Sequence, residues 1–448
     1  MGTKTRAQTT ASERTTEWQS TIVVGDGSTV TTMVSGRGYF VNTSSAVALV
    51  KLPATPKKGD FVEIKDYARS FATNKCTIQT NSSKVDSATL SSFDIETNGQ
   101  SVKFIFTDDG TRGWTAINDD SAVSYGASFT AASGGTESTS GNFKIHTFTG
   151  DGTFTVTKVG NTAGGGNAVS YMVVAGAGAG GFDRGGGGGA GGFREGRNPS
   201  CSYTVSPLNN AGGLAVTAQA YPITVGAGGA GASSPGQPNI AGAGSNSIFS
   251  SITSTGGGQG QNANASTPTA DGGSGGSGGG GSGSGSAGSN EGQGNTPPVS
   301  PPQGNPGGVG YDGPSPSSGG GGGGAGAVGS QANNPAYPSD AGGGGFGVET
   351  HIPGSPLKLA GGGGGGHPQS HGGNAGAGGA WNATPNPGLT APSPQADRFG
   401  AGNGTKSGPA GGTAGTANTG SGGGGSEGAP GAGGAGGKGI VVIRYRYQ

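Results

Sequence analysis

The sequence predicts an all-β protein in two parts, with little or no α-helix. An N-terminal β-sandwich is followed by a glycine-rich domain in which terminal strands clamp a bundle of packed polyglycine II helices. Three observations predict this. Over 20–120, short β-branched and aromatic runs alternate with turn dipeptides. Glycine is unevenly distributed: of 107 in 448 residues, 1–140 holds 12 and 141–448 holds 95. The most β-prone run of the chain, Gly439 to Gln448, follows the Gly-rich stretch 176–438 and needs partner strands from before it.

Residues 1–19 are polar apart from Trp18 and read as an extended arm. Over 20–120 the runs include Gly38-Tyr39-Phe40-Val41, Ala46 to Leu52, Phe61 to Lys65, Cys76 to Gln79, Val102 to Phe106 and Gly113 to Ile117. Between runs stand Gly25-Asp26-Gly27, Lys58-Gly59-Asp60, Asn98-Gly99 and Asp108-Asp109-Gly110, which suit tight reversals. The expectation is a small antiparallel sandwich that serves attachment or oligomerisation. Residues 121–142 have linker composition. Phe143 to Thr149 and Thr153 to Thr157, joined by Gly150-Asp151-Gly152, read as a hairpin with Ser170 to Ala175 as its third strand. The domain then spans 143–448, with strands in 143–175 and 439–447 closing the insertion 176–438. Tyr221 to Gly226 reads as a further strand beside Tyr203-Thr204-Val205.

Glycine stands in blocks: Gly185 to Gly189, Gly278 to Gly281, Gly319 to Gly324, Gly342 to Gly345, Gly361 to Gly366 and Gly422 to Gly425. Collagen needs Gly only at every third position, so consecutive Gly excludes it. A monotonous flexible spacer would lack the large apolar residues found between these blocks, among them Phe182, Phe193, Tyr311, Phe346 and Trp381. Polyglycine II suits the pattern. It has three residues per turn and no internal hydrogen bonds, so every N–H and C=O points outward. Chains without Cβ can lie side by side and satisfy one another, and a helix surrounded by others needs Gly throughout. At about 1 kcal/mol net per bond, several dozen bonds would offset much of the ordering cost.

These residues carry a resemblance. Phe148-Thr149-Gly150-Asp151-Gly152-Thr153-Phe154, then Tyr171 to Gly176, then Gly185 to Arg194, and finally Gly436 to Tyr445, resemble the glycine-rich domain of bacteriophage tail fibres and adhesins. The N-terminal part is similar to β-sandwich modules in virion proteins of phages infecting marine bacteria. Its matching residues are Gly38-Tyr39-Phe40, Leu52-Pro53, Gly59-Asp60, Asp66-Tyr67-Ala68-Arg69 and Gly113-Trp114. The resemblance implies a rigid polyglycine II tip whose loops contact a bacterial surface receptor, a glycan or an outer-membrane protein. It also implies a virion location, contacts with other virion proteins through the N-terminal region, and a homotrimer.

Composition narrows the alternatives. Twenty-four Lys plus Arg balance 24 Asp plus Glu, which gives no case for nucleic acid. No apolar run is long enough to insert in a membrane as a helix, and the polar start of the chain does not read as a secretory signal. Cys76 and Cys201 read as free thiols. His367 and His371 have the i, i+4 spacing of a helical metal pair, but Gly366, Pro368, Gly372 and Gly373 disfavour a helix. They read as solvated loop residues, His146 as structural, and no metal or cofactor is expected. Gly275-Gly276-Ser277-Gly278-Gly279 fits a nucleophile elbow only by chance, because neither strand nor helix flanks it. No paired carboxylates stand out, so an enzyme is not expected, a surface-glycan depolymerase included. Aromatic and His residues in loops flanked by Gly or Pro are the candidate receptor contacts: Tyr311, Tyr337, Phe346, His351, His367, His371, Trp381 and Phe399. Arg6, Arg14 and Trp18 are the candidates for virion attachment. The expected function is a non-enzymatic virion fibre or adhesin. The alternative is a structural decoration, collar or capsid fibre with no receptor of its own.

Overall fold

A computed structural model describes residues 16–108, 110–117, 128–161, 164–233, 240–263, 271–283, 290–313, 317–333, 340–368, 375–379, 399–406, 411–428 and 430–448. The described residues form strands and extended chain, with no α-helix among them. The chain divides into two units, one holding residues 1–128 with 162–164, the other 129–161 with 165–448.

The N-terminal unit is a sandwich of an eight-stranded and a four-stranded sheet. From Val30–Thr32 to Cys76–Gln79, successive strands alternate between them. Val30–Thr32, Ala48–Lys51 and Cys76–Gln79 lie in the small sheet, while Arg37–Asn42 and Phe61–Asp66 lie in the large one. Because the chain crosses over after each strand, it returns in the same direction, and these neighbours pair in parallel. The sheets are therefore mixed rather than antiparallel throughout, with Ser101–Asp108 antiparallel to Phe61–Asp66 and Ser92–Ile95 antiparallel to Cys76–Gln79: Gly-containing turns mark where the chain reverses but not which sheet it enters. After Asp108 the chain does return antiparallel, Ser101–Asp108 pairing with Gly113–Ala116. Alternation along each strand buries one face. Tyr39, Val41, Ile64, Phe104 and Trp114 from one sheet meet Val50, Ile78 and Phe93 from the other in a single core. Phe93 meets Phe104 edge-on across it at 5.5 Å. The buried Asp66 carboxylate accepts N–H groups from Ser70, Phe71 and Gly99, which fixes the turn through Tyr67 and Arg69.

In the second unit the strand Ile440–Arg446 pairs antiparallel with Phe143–Phe148 on one side and Ala168–Val174 on the other. It is central, so its residues are buried on both faces. Val441, Ile443 and Tyr445 pack into one cluster with Phe154, Tyr221 and Phe249. Ile440 and Val442 pack into another with Ile145, Phe193, Val348 and Leu359. That double burial explains the unbroken apolar run. The expected closure of the insertion by strands from both its ends is therefore present.

Three details differ from the sequence reading. Residues 129–140 are not linker, since Ala131–Ser133 and Thr136–Ser140 are strands, while 121–127 lie outside the described residues. Thr and Ser fit an edge strand as readily as a linker, so composition does not separate the two. Phe143–Phe148 and Gly152–Lys158 do not form a hairpin; Gly150-Asp151 carries the chain from the seven-stranded sheet into a five-stranded one. Ala220–Thr224 pairs there with Gly152–Lys158 and Ser247–Phe249, not with 203–205. In the last two cases the β-pattern identifies the strand, and the partner is chosen by which apolar face can be buried.

Between the sheets and the far turns, the chain runs as extended helices bonded only to one another. The run 185–191 shows the geometry. The N–H groups of Gly186 and Gly189 donate to Gln261 and Gly258, those of Gly187 and Ala190 to Gly320 and Gly323, and those of Gly188 and Gly191 to Gly423 and Gly420. Its carbonyls accept from Gly181 and Gly178, from Gly280 and Ser277, and from Gly366 and Gly363. Every third residue addresses the same neighbour, the signature of three residues per turn. Three neighbours receive its donors and three others supply its acceptors, so the helix sits in a hexagonal array. The runs 319–324 and 361–366 are surrounded in the same way. Substitution at one block tests this packing. A Cβ on Gly344 would overlap the Gly362 carbonyl oxygen, whereas one on Gly343 meets nothing closer than 3.5 Å. Gly343→Ala should leave stability within about 1 kcal/mol, because it also restricts the unfolded chain. Gly344→Ala should cost about 1–3 kcal/mol or more, as overpacking does. Chemical denaturation of the two variants checks this, and equal effects would contradict the lattice.

His146, wholly buried beside Tyr445, gives the clamp a pH dependence. Its Nδ1–H donates to the Gly134 carbonyl at 2.7 Å, which leaves Nε2 to accept from the Tyr445 hydroxyl at 3.0 Å. Burial depresses the ring's pKa below the ordinary 6.5, opposed by the Gly134 bond and the nearby Glu137 carboxylate, while Lys144 adds to the depression. The unfolded chain then binds a proton that the folded one resists, so stability is full above pH 6.5 and falls as pH drops below it. Melting temperature measured from pH 8 to 5 should decline across that window, and His146→Gln should remove much of the decline.

Candidate functional site

The hydrogen-bond register shows where the helices begin and end. The chain leaves the seven-stranded sheet at Val174, runs out along 175–181, turns at Phe182-Asp183-Arg184 and returns along 185–192 to Phe193. Other segments reach the same far level. Ser426 N–H bonds Gly181, Gly283 N–H bonds Arg184, Gly366 N–H bonds Gly185 and Arg184 N–H bonds Glu427. Asn333 N–H meets the Asp340 carbonyl at 2.8 Å, and Tyr311 and Ser318 exchange both backbone bonds at 2.9 and 3.0 Å. These turns lie at the end opposite the sheets, whereas 296–303, 325–327 and 416–420 turn at the sheet end, beside strands such as the pair Val348–Thr350 and Leu357–Leu359. Phe182 is buried under the far end with Ala179, Ala232 and Ala241, which anchors the first turn there.

The candidate contact residues separate onto the two ends. Tyr311 lies at the far end, half-buried, its ring folded over its own turn at Gly313. Phe346 and Phe399 lie at the sheet end with ring centroids 6.4 Å apart, and Phe346 is 36% exposed. His351 is also at the sheet end; its N–H donates to Thr204, and Nε2 lies 3.2 Å from Glu349 Oε1. His367 corrects its reading as a solvated loop residue. It is wholly buried, because the helix begun at Gly361 continues through it and its N–H bonds the Thr405 carbonyl. Tyr337, His371, Trp381, Arg6 and Arg14 lie outside the described residues. Trp18 lies in the N-terminal unit, stacked on Phe40.

Sequence reasoning treated the acidic residues of the insertion singly, as solubilising groups. The register brings Asp183, Asp271, Glu291, Asp312, Asp340 and Glu427 to the far end, with Arg184 and Lys406. Six acids against two bases leave a net charge of −4, and the segments that connect the helices there contain no charged residue. The acids are spread over the end: among the described residues, no three side chains converge as metal ligands. The far end therefore carries a mildly acidic set of turns on the lattice.

Two buried charges also escaped the sequence reading. Glu195 accepts from the Thr350 hydroxyl at 2.6 Å and from Ser206 N–H at 2.9 Å. Arg444 donates to the Ile352 carbonyl at 3.1 Å, with its guanidinium 4.5 Å from the Phe143 ring centroid and 5.3 Å from that of Tyr203. Both lie within the sheets and hold the 198–206 and 350–352 segments against the clamp. Residues 147–446 match the model of a family described as a glycine-rich domain, and no curated protein matches the chain.

Proposed function

Because the chain belongs to this family of glycine-rich domains, we propose that it is a non-enzymatic bacteriophage fibre or adhesin, displayed on the virion. The N-terminal part attaches to other virion proteins, and turns at the far end of the lattice bind a bacterial surface receptor. One observation carries the reading: at the end of the lattice opposite its clamp the helices are joined by turns, away from the sheets that occupy the other end. A lattice held by backbone bonds tolerates new turn sequences, because the bonds of interior runs such as 185–191 join backbone groups to backbone groups. This suits a surface that must change partner while its support stays fixed. Assembly as a homotrimer belongs to the same proposal through the resemblance to phage fibres.

The test is adsorption of the fluorescently labelled full-length chain to a panel of bacterial strains. Replacing 334–339 or 369–374 with Gly/Ser segments of equal length should lower adsorption by about tenfold in at least one case. Phe346→Ala, at the sheet end, should change it by less than about twofold. Melting temperature should hold in all three variants. Loss with Phe346→Ala alone would move the contact to the sheet end. Adsorption to no strain, with the chain retained on particles, would instead support a structural decoration.

A further inference from the structure

On the outer face of the eight-stranded sheet, Trp18 stands opposite Gly38 in the edge pair of Glu17–Trp18 with Arg37–Asn42. The missing side chain lets the indole rest on the backbone; a Cβ at Gly38 would stand 2.7 Å from the ring. The indole stacks on Phe40 with centroids 4.7 Å apart and planes 26° apart, and Tyr67 meets Phe40 edge-on at 6.3 Å. Trp18 is 39% exposed, Tyr67 is 56% exposed and Phe40 is half-buried. None of the three belongs to the sandwich core. Pairing sets polar groups directly beside this plate. One row runs Trp18, Gly38, Glu63, Lys103, and the next runs Phe40, Lys65, Ser101. Thr16 joins the first row, its hydroxyl donating to Glu63 Oε2 at 2.8 Å and accepting from Lys103 Nζ at 3.3 Å.

We propose that this plate binds a neutral glycan, with a pyranose ring stacked on Trp18 and its hydroxyl groups bonded to the Glu63, Lys65 and Lys103 rows. A pyranose offers a flat C–H face and a rim of hydroxyls, and the plate supplies an apolar ring surface beside donors and acceptors. Size favours a glycan over a protein. At 39% and 56% exposure, Trp18 and Tyr67 present on the order of 200 Å² together, against roughly 800 Å² per partner for a standard protein interface. Charge favours a neutral ligand, since Glu17 and Glu63 stand among Arg37, Lys65 and Lys103 and no single sign dominates. The site is independent of the lattice tip. It takes Trp18 out of the virion-attachment set and leaves Arg6 and Arg14 there.

The experiment titrates the full-length chain with soluble dextran, mannan, galactan and xylan. Tryptophan emission and calorimetry are followed at low and high salt. The expected result is saturable binding of at least one polymer, changed less than about twofold by salt, because no net charge is neutralised. Trp18→Ala should abolish it, and Tyr67→Ala should weaken it about tenfold, with melting temperature unchanged. If Trp18→Ala loosens the edge strand, Tyr67→Ala decides alone. No binding to any of the four polymers overturns the proposal, as does binding that survives both substitutions. Retention on purified virions that is lost in both variants, with no glycan binding, overturns it in favour of a protein contact.

Discussion

The structure of the second unit depends on backbone N–H···O=C bonds between helices that make none within themselves. An interior residue such as Gly188 donates to Gly423 and accepts from Gly363, at 2.8 and 2.9 Å. Such pairing requires the chains to approach to where a Cβ would stand, and at Gly188 that position overlaps the Gly178 carbonyl oxygen. Glycine is required here for closeness rather than for an unusual backbone angle. Side-chain packing, which organises the N-terminal sandwich, is reduced in the lattice interior to small residues such as Ala190 and Ala179.

Magnitudes show why the lattice cannot stand alone. Ordering a residue's backbone costs about 1–2 kcal/mol, and glycine is at the upper end. Each bond returns a net of about 0.5–1.5 kcal/mol. The bonds therefore leave a shortfall or at best break even, and apolar burial elsewhere must supply the difference. The two clusters on either face of Ile440–Arg446 do so. They also join strands from both ends of the insertion, which reduces the freedom lost when the intervening chain orders. Lattice and clamp are thus one cooperative unit, and the buried His146–Tyr445 pair lies at its centre.

The sequence made some of this legible. Consecutive Gly blocks announced the lattice because only close packing on every side excludes all side chains. The closing strand was legible because an apolar run without alternation must be covered on both faces. Partner choice was not: Gly150-Asp151-Gly152 looks like a hairpin turn, yet it moves the chain between sheets. Residues 129–140 were hidden because Thr and Ser compose edge strands and linkers alike. At the candidate site, loop aromatics were visible but not the end to which each belongs, since that depends on how many turns a helix makes before it reverses. His367 shows the cost, for Gly366 and Pro368 suggest a loop at a position the lattice holds buried. Phe40 beside Trp18 could have been found from alternation, since Tyr39 and Val41 point inward and Phe40 must therefore point out.

Amide hydrogen exchange of the full-length chain, resolved by segment, tests the central claim most directly. If the lattice is the interior of the domain, amides in 185–191, 319–324 and 361–366 exchange within about tenfold of those in Ile440–Arg446 and are lost with them in one cooperative opening. Exchange of those glycine amides at free-peptide rates, while the strand stays protected, would contradict the account.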